Sequence, residues 1–450
     1  MAVHIKSMTK GKPAKLLLTF SLSLVVGNVF QQLYTVVDTM VVGKYLGVNA
    51  LAALGATDWM NWLMLGVVQG LTQGFAIKMA QEFGADRQEG LRKSIGNSTI
   101  LSMVAAVLLV VIGQVFARPV LGLLQTPDEI MGYALLYLRI MFAGIPIVMA
   151  YNLLASILRA LGDGRTPLNA MIVASITNIT LDCLFVLVFQ WGIVGAAVAT
   201  LIAQCISSIF CYYHIKKIGF LKMRSEDYKL DMELTGRLFV LGLPMAFQNA
   251  IIAVGGMIVQ SVVNGFGVIF IAGFTATNKL YGLLEIAATS YGYALVTYVG
   301  QNLGAGEKDR IHKGVRAAFV IAMITAVIIA AAMLAFGKVI LGLFISGTAE
   351  VVEQTMQVAY FYLTIMSVCL PVLYVLHITR SAIQGMGNTV LPMVSGIVEF
   401  VMRTLSALML PVLVGETGIF FAEIAAWLGA DVVLVISYFV VMARMDTEVH

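Results

Sequence analysis

Charged residues are scarce in this sequence, and their scarcity excludes a soluble protein. Asp, Glu, Lys and Arg make up only 12% of the 450 residues, whereas 60% are hydrophobic and the mean hydropathy is +0.93. A soluble chain of this length does not need so much apolar surface, so the composition predicts an integral membrane protein in contact with the lipid bilayer. The basic residues are spread over the loops between apolar stretches, and we therefore expect no nucleic-acid partner.

Several chemical signatures are missing as well. The four cysteines all fall inside apolar stretches and lack the spacing of a metal site or a disulfide framework. The chain has no GxxxxGK[ST] phosphate-binding motif, which argues against ATP as its energy source. No nucleophile–base constellation is recognisable either, so we expect neither an enzyme nor a bound cofactor.

Apolar stretches long enough to cross a bilayer recur along the whole chain. We place twelve of them at roughly residues 16–42, 51–79, 95–117, 131–157, 168–190, 192–214, 238–263, 270–298, 315–336, 355–378, 391–414 and 418–442. The sequence therefore predicts an all-α integral membrane protein with twelve transmembrane helices. The longest polar stretch divides it into an N-lobe at residues 1–214, a cytoplasmic inter-lobe loop at 215–236 and a C-lobe at 237–450.

The two halves of the chain resemble each other at nearly constant offsets. An offset of 220 positions aligns Gln81 with Gln301, and an offset of 225 aligns Pro146 with Pro371. Because each half contains six predicted spans, the two six-helix lobes are expected to be parallel repeats, related by a pseudo-symmetry axis along the membrane normal. Transporters built in this way bind substrate between the halves and rock one half against the other.

The distribution of Lys and Arg predicts the orientation of the chain. One side of the membrane would hold the N-terminal lysines, the basic loop at 215–236, and finally Arg380 and Arg444, whereas the opposite side would hold three basic residues. By the positive-inside rule, both termini are then cytoplasmic in a multi-pass protein of the cell membrane.

Polar residues inside the predicted spans of the first half are candidates for function, because burying a charge in lipid is costly. Asp38 lies in the first span, with Tyr34 on the same helical face. The fifth span contains Asn178 and Asp182 at positions i and i+4. With the Thr200 hydroxyl of the sixth span, these groups would form an all-oxygen cluster suited to a hard cation. The two acids would also repel each other, which would make one of them a proton acceptor. The alternative is that Asp182 only caps or pairs structurally.

The second half carries a different set of polar residues. Glu399 and Arg403 have the spacing of an ion pair within one helix, which is either structural or functional. Under the 225 offset, Arg403 takes the place of Asn178, and no matching acid pair is left. We therefore expect the cation site in the first half only. Cavity lining and satisfied helix contacts both remain open for the other charged residues of these spans, which are Lys279, Glu285, Glu423 and Asp431.

Six short motifs carry a resemblance to a known family. They are Tyr34-x-x-x-Asp38, Val42-Gly43-x-x-Leu46-Gly47, Ala52-Ala53-Leu54-Gly55, Arg159-Ala-x-Gly162-Asp, Asn178-x-x-x-Asp182 and Gly192-x-x-Gly195-Ala-Ala-x-Ala-Thr200. These motifs resemble the multidrug and toxic compound extrusion (MATE) transporters, and among them the bacterial MepA-like branch. The resemblance implies two six-helix lobes around a V-shaped central cavity, and efflux driven by a proton or sodium gradient.

The resemblance also assigns roles to particular residues. It implies a coupling site for H⁺ or Na⁺ in the first lobe, surrounded by Tyr34 and Asn152. The groups that would bind the ion are the side chains of Asp38, Asn178, Asp182 and Thr200 and the backbone carbonyl of Ala196. The polar residues expected to line the substrate cavity in the second lobe are Lys279, Glu285, Glu399 and Arg403. The chain departs from the family at Ser23, where members carry a proline, although the matching position of the second half keeps Pro244. A mechanism based on a proline kink in the first helix is therefore open to question in this chain.

The function predicted from the sequence is secondary active multidrug efflux by alternating access. A monomer would export cationic, amphipathic small molecules in exchange for H⁺ or Na⁺, with no cofactor besides the coupling ion. One alternative is a flippase of the same superfamily for lipid-linked oligosaccharides. That function favours basic residues that hold a pyrophosphate, and only Lys279, Arg139 and Arg403 are deep enough for it. The other alternative is a channel or receptor without coupled transport.

Overall fold

The computed structural model describes residues 5–124, 126–345 and 348–447, and within them all regular secondary structure is helical. The fourteen α-helices are α1 Pro13–Tyr45, α2 Val48–Gly84, α3 Gln88–Leu123, α4 Asp128–Ala143, α5 Ile145–Ala160, α6 Arg165–Asp182, α7 Ile193–Lys216, α8 Met232–Val263, α9 Val268–Gly304, α10 Lys308–Leu341, α11 Ala349–Val368, α12 Leu370–Gly385, α13 Val390–Val414 and α14 Phe421–Thr447. A π-helical turn, Cys183–Val188, follows α6, and three short 3₁₀ helices lie at Gly219–Leu221, Ser225–Tyr228 and Glu416–Phe420. The predicted all-α class is confirmed.

Most of these helices have the length and composition of membrane spans. In the described part of the chain, nine helices are long and apolar enough to cross a bilayer, and the number rises to eleven if each of two bent helix pairs counts as one span. The remaining predicted span, at 270–298, lies within α9, which is 37 residues long and carries Lys279 and Glu285. The chain is therefore a multi-pass membrane protein.

The two bent pairs occupy corresponding positions in the two halves. The α4–α5 pair and the α11–α12 pair each bend by 47°. Pro146 and Pro371 stand in the first turns of α5 and α12. Because proline has no backbone N–H, neither residue can continue the hydrogen-bond ladder of the preceding helix. The spans predicted as single helices at 131–157 and 355–378 are thus broken, and the repeat visible in the sequence has a structural counterpart.

The helices pack into two compact units. The first unit consists of Leu22–Ala250 and the described residues before Thr9; the second consists of Thr9–Ser21 and the described residues from Ile251 onward. The boundaries of these units fall inside α1 and α8, whereas the lobes predicted from the sequence meet at the 215–236 loop. The first part of α1 was predicted in the N-lobe but belongs to the second unit. The first part of α8 was predicted in the C-lobe but belongs to the first unit.

In the first unit, the loop between α7 and α8 is docked on α3. The fully buried Asn97 side chain donates to the Lys229 carbonyl at 3.2 Å and accepts from the Asp231 N–H at 3.0 Å. Arg92 pairs with Asp227 at 3.4 Å. A Cβ atom at Gly96 would lie only 2.0 Å from the Asp227 carbonyl oxygen. The polar loop is therefore fixed to α3 over much of its length and does not act as a free linker.

The second unit has an aromatic core and a comparable anchor. Phe274 stacks on Tyr362 with 4.9 Å between ring centroids, and Tyr362 stacks on Phe420 at 4.7 Å. In the first turn of α10, the Arg310 guanidinium donates to the Gly11 carbonyl at 3.0 Å. This bond ties the segment in front of α1 to the second unit.

Candidate functional site

The candidate coupling site of the first unit is built on the pair of helices α6 and α7. Near one end of the pair, the Ser207 hydroxyl donates to the Ala170 carbonyl at 3.2 Å. Further along, the Asn178 side-chain amide donates to the Thr200 hydroxyl at 3.3 Å, and this hydroxyl donates to the Ala196 carbonyl at 3.1 Å. The alanines of α7 at this level are fully buried. Small side chains allow the two backbones to approach closely, which brings the polar groups of both helices into contact.

The acids lie beside this contact and leave several oxygens without partners. Asp38 is 9% exposed, and Asn178 and Asp182 are fully buried. One oxygen of Asp38, the amide oxygen of Asn178 and both oxygens of Asp182 accept no hydrogen bond from the described residues. Asp38 is close enough to Asp182 to act on it electrostatically. Buried acceptors without partners are costly, so this arrangement suits a proton or a hard cation as the missing partner.

Residues around the acids fall into those that the sequence predicted and those that it missed. Tyr34 lies beside the side chains of Gln31 and Gln204 and within electrostatic reach of both acids. Asn152 donates to the Val148 carbonyl of its own helix at 2.8 Å, and its expected place around the site stays a prediction. Gln204 was missed, although it follows Thr200 by four residues and so shares its helical face.

Two more residues near Asp38 were not expected there. Tyr137 is buried and lies within electrostatic reach of Asp38 and Asp182. Asp58 also acts electrostatically on Asp38. The structure thus adds Asp58 of α2 to the surroundings of the acid. The functional roles assigned to the site residues stay predictions.

The second unit contains a buried network of ion pairs. Arg403 donates to Glu399 at 2.8 Å and also to Glu423 of α14 at 2.8 Å, and Arg380 of α12 pairs with Glu399 at 2.7 Å. The expected pair within α13 is thus present, but it is part of a network over three helices. The sequence counted Arg380 among the cytoplasmic basic residues, which stays a prediction, but it did not indicate that this side chain is buried. This residue is only 8% exposed, because Glu399 compensates its charge inside the unit.

The other polar residues of the second unit have mixed surroundings. Glu285 faces His377, with 3.3 Å between the carboxylate and the ring nitrogen. The ammonium group of Lys279 lies 6.0 Å from the centre of the Phe344 ring. One oxygen of Asp431 is buried without a hydrogen-bond partner in the described part of the chain. At the position that matches Asp182, the second half has a fully buried alanine, Ala407, so the acid cluster of the first unit has no copy here.

Comparison with known proteins identifies the family to which this geometry belongs. The sequence model of the MatE family matches residues 24–184 and 244–409, which is most of the chain. The chain belongs to the MatE family. The family consists of transporters and not of enzymes, and it is the family that the sequence motifs resembled.

Individual relatives agree with this assignment. The chain is 30% identical over 306 residues to the probable multidrug resistance protein YpnP of Bacillus subtilis, covering 67% of this chain and 68% of the relative. It is 21% identical to the multidrug export protein MepA of Staphylococcus saprophyticus, covering 86% of each chain. The fold matches a solved transporter of the MOP superfamily from Pyrococcus furiosus with a TM-score of 0.89 and 22% identity, covering 98% of this chain and 97% of that one.

Proposed function

We propose that this transporter is a secondary active multidrug exporter, coupled to H⁺ or Na⁺ through the acid cluster of its first unit. The observation that carries the proposal is the set of buried oxygens on Asp38, Asn178 and Asp182 that accept no hydrogen bond from the part of the chain that the structure describes. Two carboxylates within reach of each other in a low-dielectric interior repel, so one proton or one sodium ion relieves the repulsion and supplies the missing partner. A partner that comes and goes can bias the two states of a transporter, provided that it binds one state more tightly than the other.

The proposed substrates are cationic, amphipathic small molecules. The proposal is supported by the names of the relatives, which describe multidrug resistance or export. The solved structure from Pyrococcus furiosus is described as having a binding pocket of reverse polarity that suggests a different function. The fold alone therefore does not determine the substrate, and the charges of this chain have to be considered.

The charges argue against a flippase for pyrophosphate-linked lipids. Such a substrate needs basic side chains that are free to bind phosphate. Arg403 is bonded to both Glu399 and Glu423, and Arg139 is exposed. The third basic candidate, Lys279, is exposed as well and has no ion pair to a described residue. A single lysine is a weak basis for a pyrophosphate site.

Transport in proteoliposomes tests the proposed function. Vesicles that contain the purified protein are given a pH gradient or a sodium gradient, and the movement of a cationic dye is measured. We expect uphill dye transport under at least one of the gradients, and loss of coupling in Asp182→Asn. Asp86→Asn makes the same chemical change at an exposed turn and serves as the matched control. Dye flux that only follows its own gradient would instead favour a channel.

The orientation, location and oligomeric state form a second part of the proposal. We place both termini in the cytoplasm and a monomer in the cell membrane, on the basis of the basic loop at 215–236. In a cysteine-free background, single cysteines at Lys217 and Lys338 should react with a membrane-impermeant reagent from opposite sides of the membrane. Labelling of both from the same side would contradict the orientation.

A further inference from the structure

The backbone changes its hydrogen-bond pattern directly after the buried acid Asp182. Asp182 is the last residue of α6, and Cys183–Val188 continue as a π-helical turn. At its end, the Phe189 N–H donates to the Leu184 carbonyl at 2.9 Å. The π-helical pattern is rare, occurs mostly as single turns inside α-helices, and is often found at functional sites. Its place in this chain therefore raises the question of what it does for Asp182.

The π-helical turn is held in place from two directions. The Phe185 ring stacks on Trp191, with 4.7 Å between the ring centroids. On the other side, the backbone of α7 lies against Phe185, since a Cβ atom at Gly195 would be 3.0 Å from the Phe185 Cβ and 3.2 Å from its carbonyl carbon. Only glycine permits so close an approach without a shift of the neighbour. Phe185 and Gly195 therefore fix the turn against α7.

Asp182 lies between two such contacts of α6 with α7. Four residues before it, Asn178 donates to Thr200 at 3.3 Å. Three residues after it, Phe185 meets Gly195. One contact before Asp182 and one contact after it therefore fix the position of its carboxylate relative to Thr200. The contact after it depends on the π-helical turn.

The repeat in the second half provides an internal comparison. The 225 offset places Leu410 at the position of Phe185 and Ala407 at that of Asp182. Leu410 makes the same kind of contact, because a Cβ atom at Gly418 would lie 2.6 Å from its carbonyl carbon.

The halves differ in the number of residues between this contact and the next glycine with a positive φ. That glycine is Gly192 in the first half, seven residues after Phe185, and Gly415 in the second half, five residues after Leu410. The longer segment of the first half consists of the π-helical turn and the non-helical residues 189–191, whereas α13 is α-helical up to Val414, directly before Gly415. The half that carries the buried acid has the π-helical turn, and the half with alanine in that position has an ordinary helix.

We propose that Gly195, Phe185 and the π-helical turn between them position Asp182 for binding of the coupling ion. This inference rests on the proposed function, in which Asp182 is part of the ion site. None of these positioning residues binds the ion itself. Their effect is to set the distance from the Asp182 carboxylate to Asn178 and Thr200, and ion sites are sensitive to the residues that orient their ligands.

The test is the substitution Gly195→Ala with Gly132→Ala as its matched control. The added methyl group at Gly195 must push the Phe185 backbone away, whereas a methyl group at Gly132, in α4 of the same unit, has no heavy atom within 4 Å. The half-saturating concentration of Na⁺ or H⁺ is measured in proteoliposome transport. We expect Gly195→Ala to raise it about 10-fold, a typical effect of disturbing a ligand-orienting residue. The rate at saturating ion concentration should stay close to the wild-type rate, and Gly132→Ala should behave as wild type.

The variant Trp191→Leu and the variant Asp182→Asn keep the test decisive. Trp191→Leu removes the ring that stacks on Phe185, and because Trp191 is 48% exposed the variant should fold even if Gly195→Ala does not. It should also raise the half-saturating ion concentration. If Gly195→Ala and Trp191→Leu both titrate as wild type while Asp182→Asn loses ion binding, the positioning role is overturned and the proposed function survives. If Asp182→Asn itself titrates as wild type, the proposed function fails, and the positioning role fails with it.

Discussion

Replacing Arg403 by alanine should destabilise the second unit much more than it affects ion binding. The guanidinium of Arg403 bonds Glu399 at 2.8 Å and Glu423 at 2.8 Å, and it donates to the Ile252 carbonyl at 3.3 Å. In Arg403→Ala these three groups lose the hydrogen bonds that Arg403 donates. Glu399 keeps Arg380 at 2.7 Å, whereas Glu423 has no other ion pair among the described residues.

The expected magnitude follows from the burial of these carboxylates. Breaking a buried ion pair by removing one partner costs about 3–5 kcal/mol, because a charge is left without compensation. The Glu423 side chain is 17% exposed, which lets solvent screen part of its charge. We therefore expect the lower end of that range, about 3 kcal/mol. The double variant Arg403→Ala with Glu423→Gln removes the stranded charge and should recover most of the loss. Together with Glu423→Gln alone, it completes a double-mutant cycle.

The assay combines unfolding with ion titration. Thermal unfolding in detergent is measured for wild type, both single variants and the double variant, and the half-saturating ion concentration is measured in proteoliposomes. An Arg403→Ala variant as stable as wild type would refute the stabilising role of the network. An increase in the half-saturating ion concentration as large as that in Asp182→Asn would refute the assignment of ion binding to the first half alone.

Three further variants test other parts of the structure. Asp38→Asn removes the titrating charge at little change in volume, so uphill dye transport should be lost while expression and folding are kept. Asn97→Ala removes two hydrogen bonds that hold the loop on α3, so amide exchange at residues 227–235 should become faster, as measured by mass spectrometry. In Gly74→Ala the new Cβ would lie 2.4 Å from the Gly242 Cα, so thermal stability should fall, whereas Gly55→Ala, with nothing within 4 Å, should be neutral.

Each of these expectations can fail in a specific way. Wild-type accumulation of dye by Asp38→Asn would make that carboxylate structural. Unchanged exchange in Asn97→Ala would mean that the loop is held by its other contacts, such as the 3.4 Å pair of Arg92 with Asp227. Equal melting temperatures of the two glycine variants would show that the helices around Gly74 can shift at no cost.

The parts of the fold that local sequence determines could be predicted. Hydropathy located the spans, because each span must bury about 20 residues in lipid. The matching prolines Pro146 and Pro371 signalled the repeat, and both stand where a helix bends by 47°. Asn178 and Asp182 could be assigned to one helical face, since residues four apart in a helix are neighbours.

Features that depend on distant partners could not be predicted. Arg380 was counted among the cytoplasmic basic residues by the positive-inside rule, and its burial against an acid was not foreseen. Its partner Glu399 comes 19 residues later, on another helix. The π-helical turn after Asp182 was missed as well, because it depends on the packing of Phe185 against Gly195 of the next helix and no residue type signals it.

The two halves of the repeat carry different side chains at the position of Asn178 in the first half and Arg403 in the second. In the first unit, Asn178 lies beside Asp38 and Asp182, and one Asp38 oxygen and both Asp182 oxygens accept no hydrogen bond from the described residues, which is why we propose an ion here. In the second unit, Arg403 stands at the matching position and brings a permanent positive charge to Glu399 and Glu423. The guanidinium is part of the chain and cannot leave. Glu399 and Glu423 therefore do not need a transient cation to compensate their charges. We therefore assign the proposed binding and release of a coupling ion to the first half.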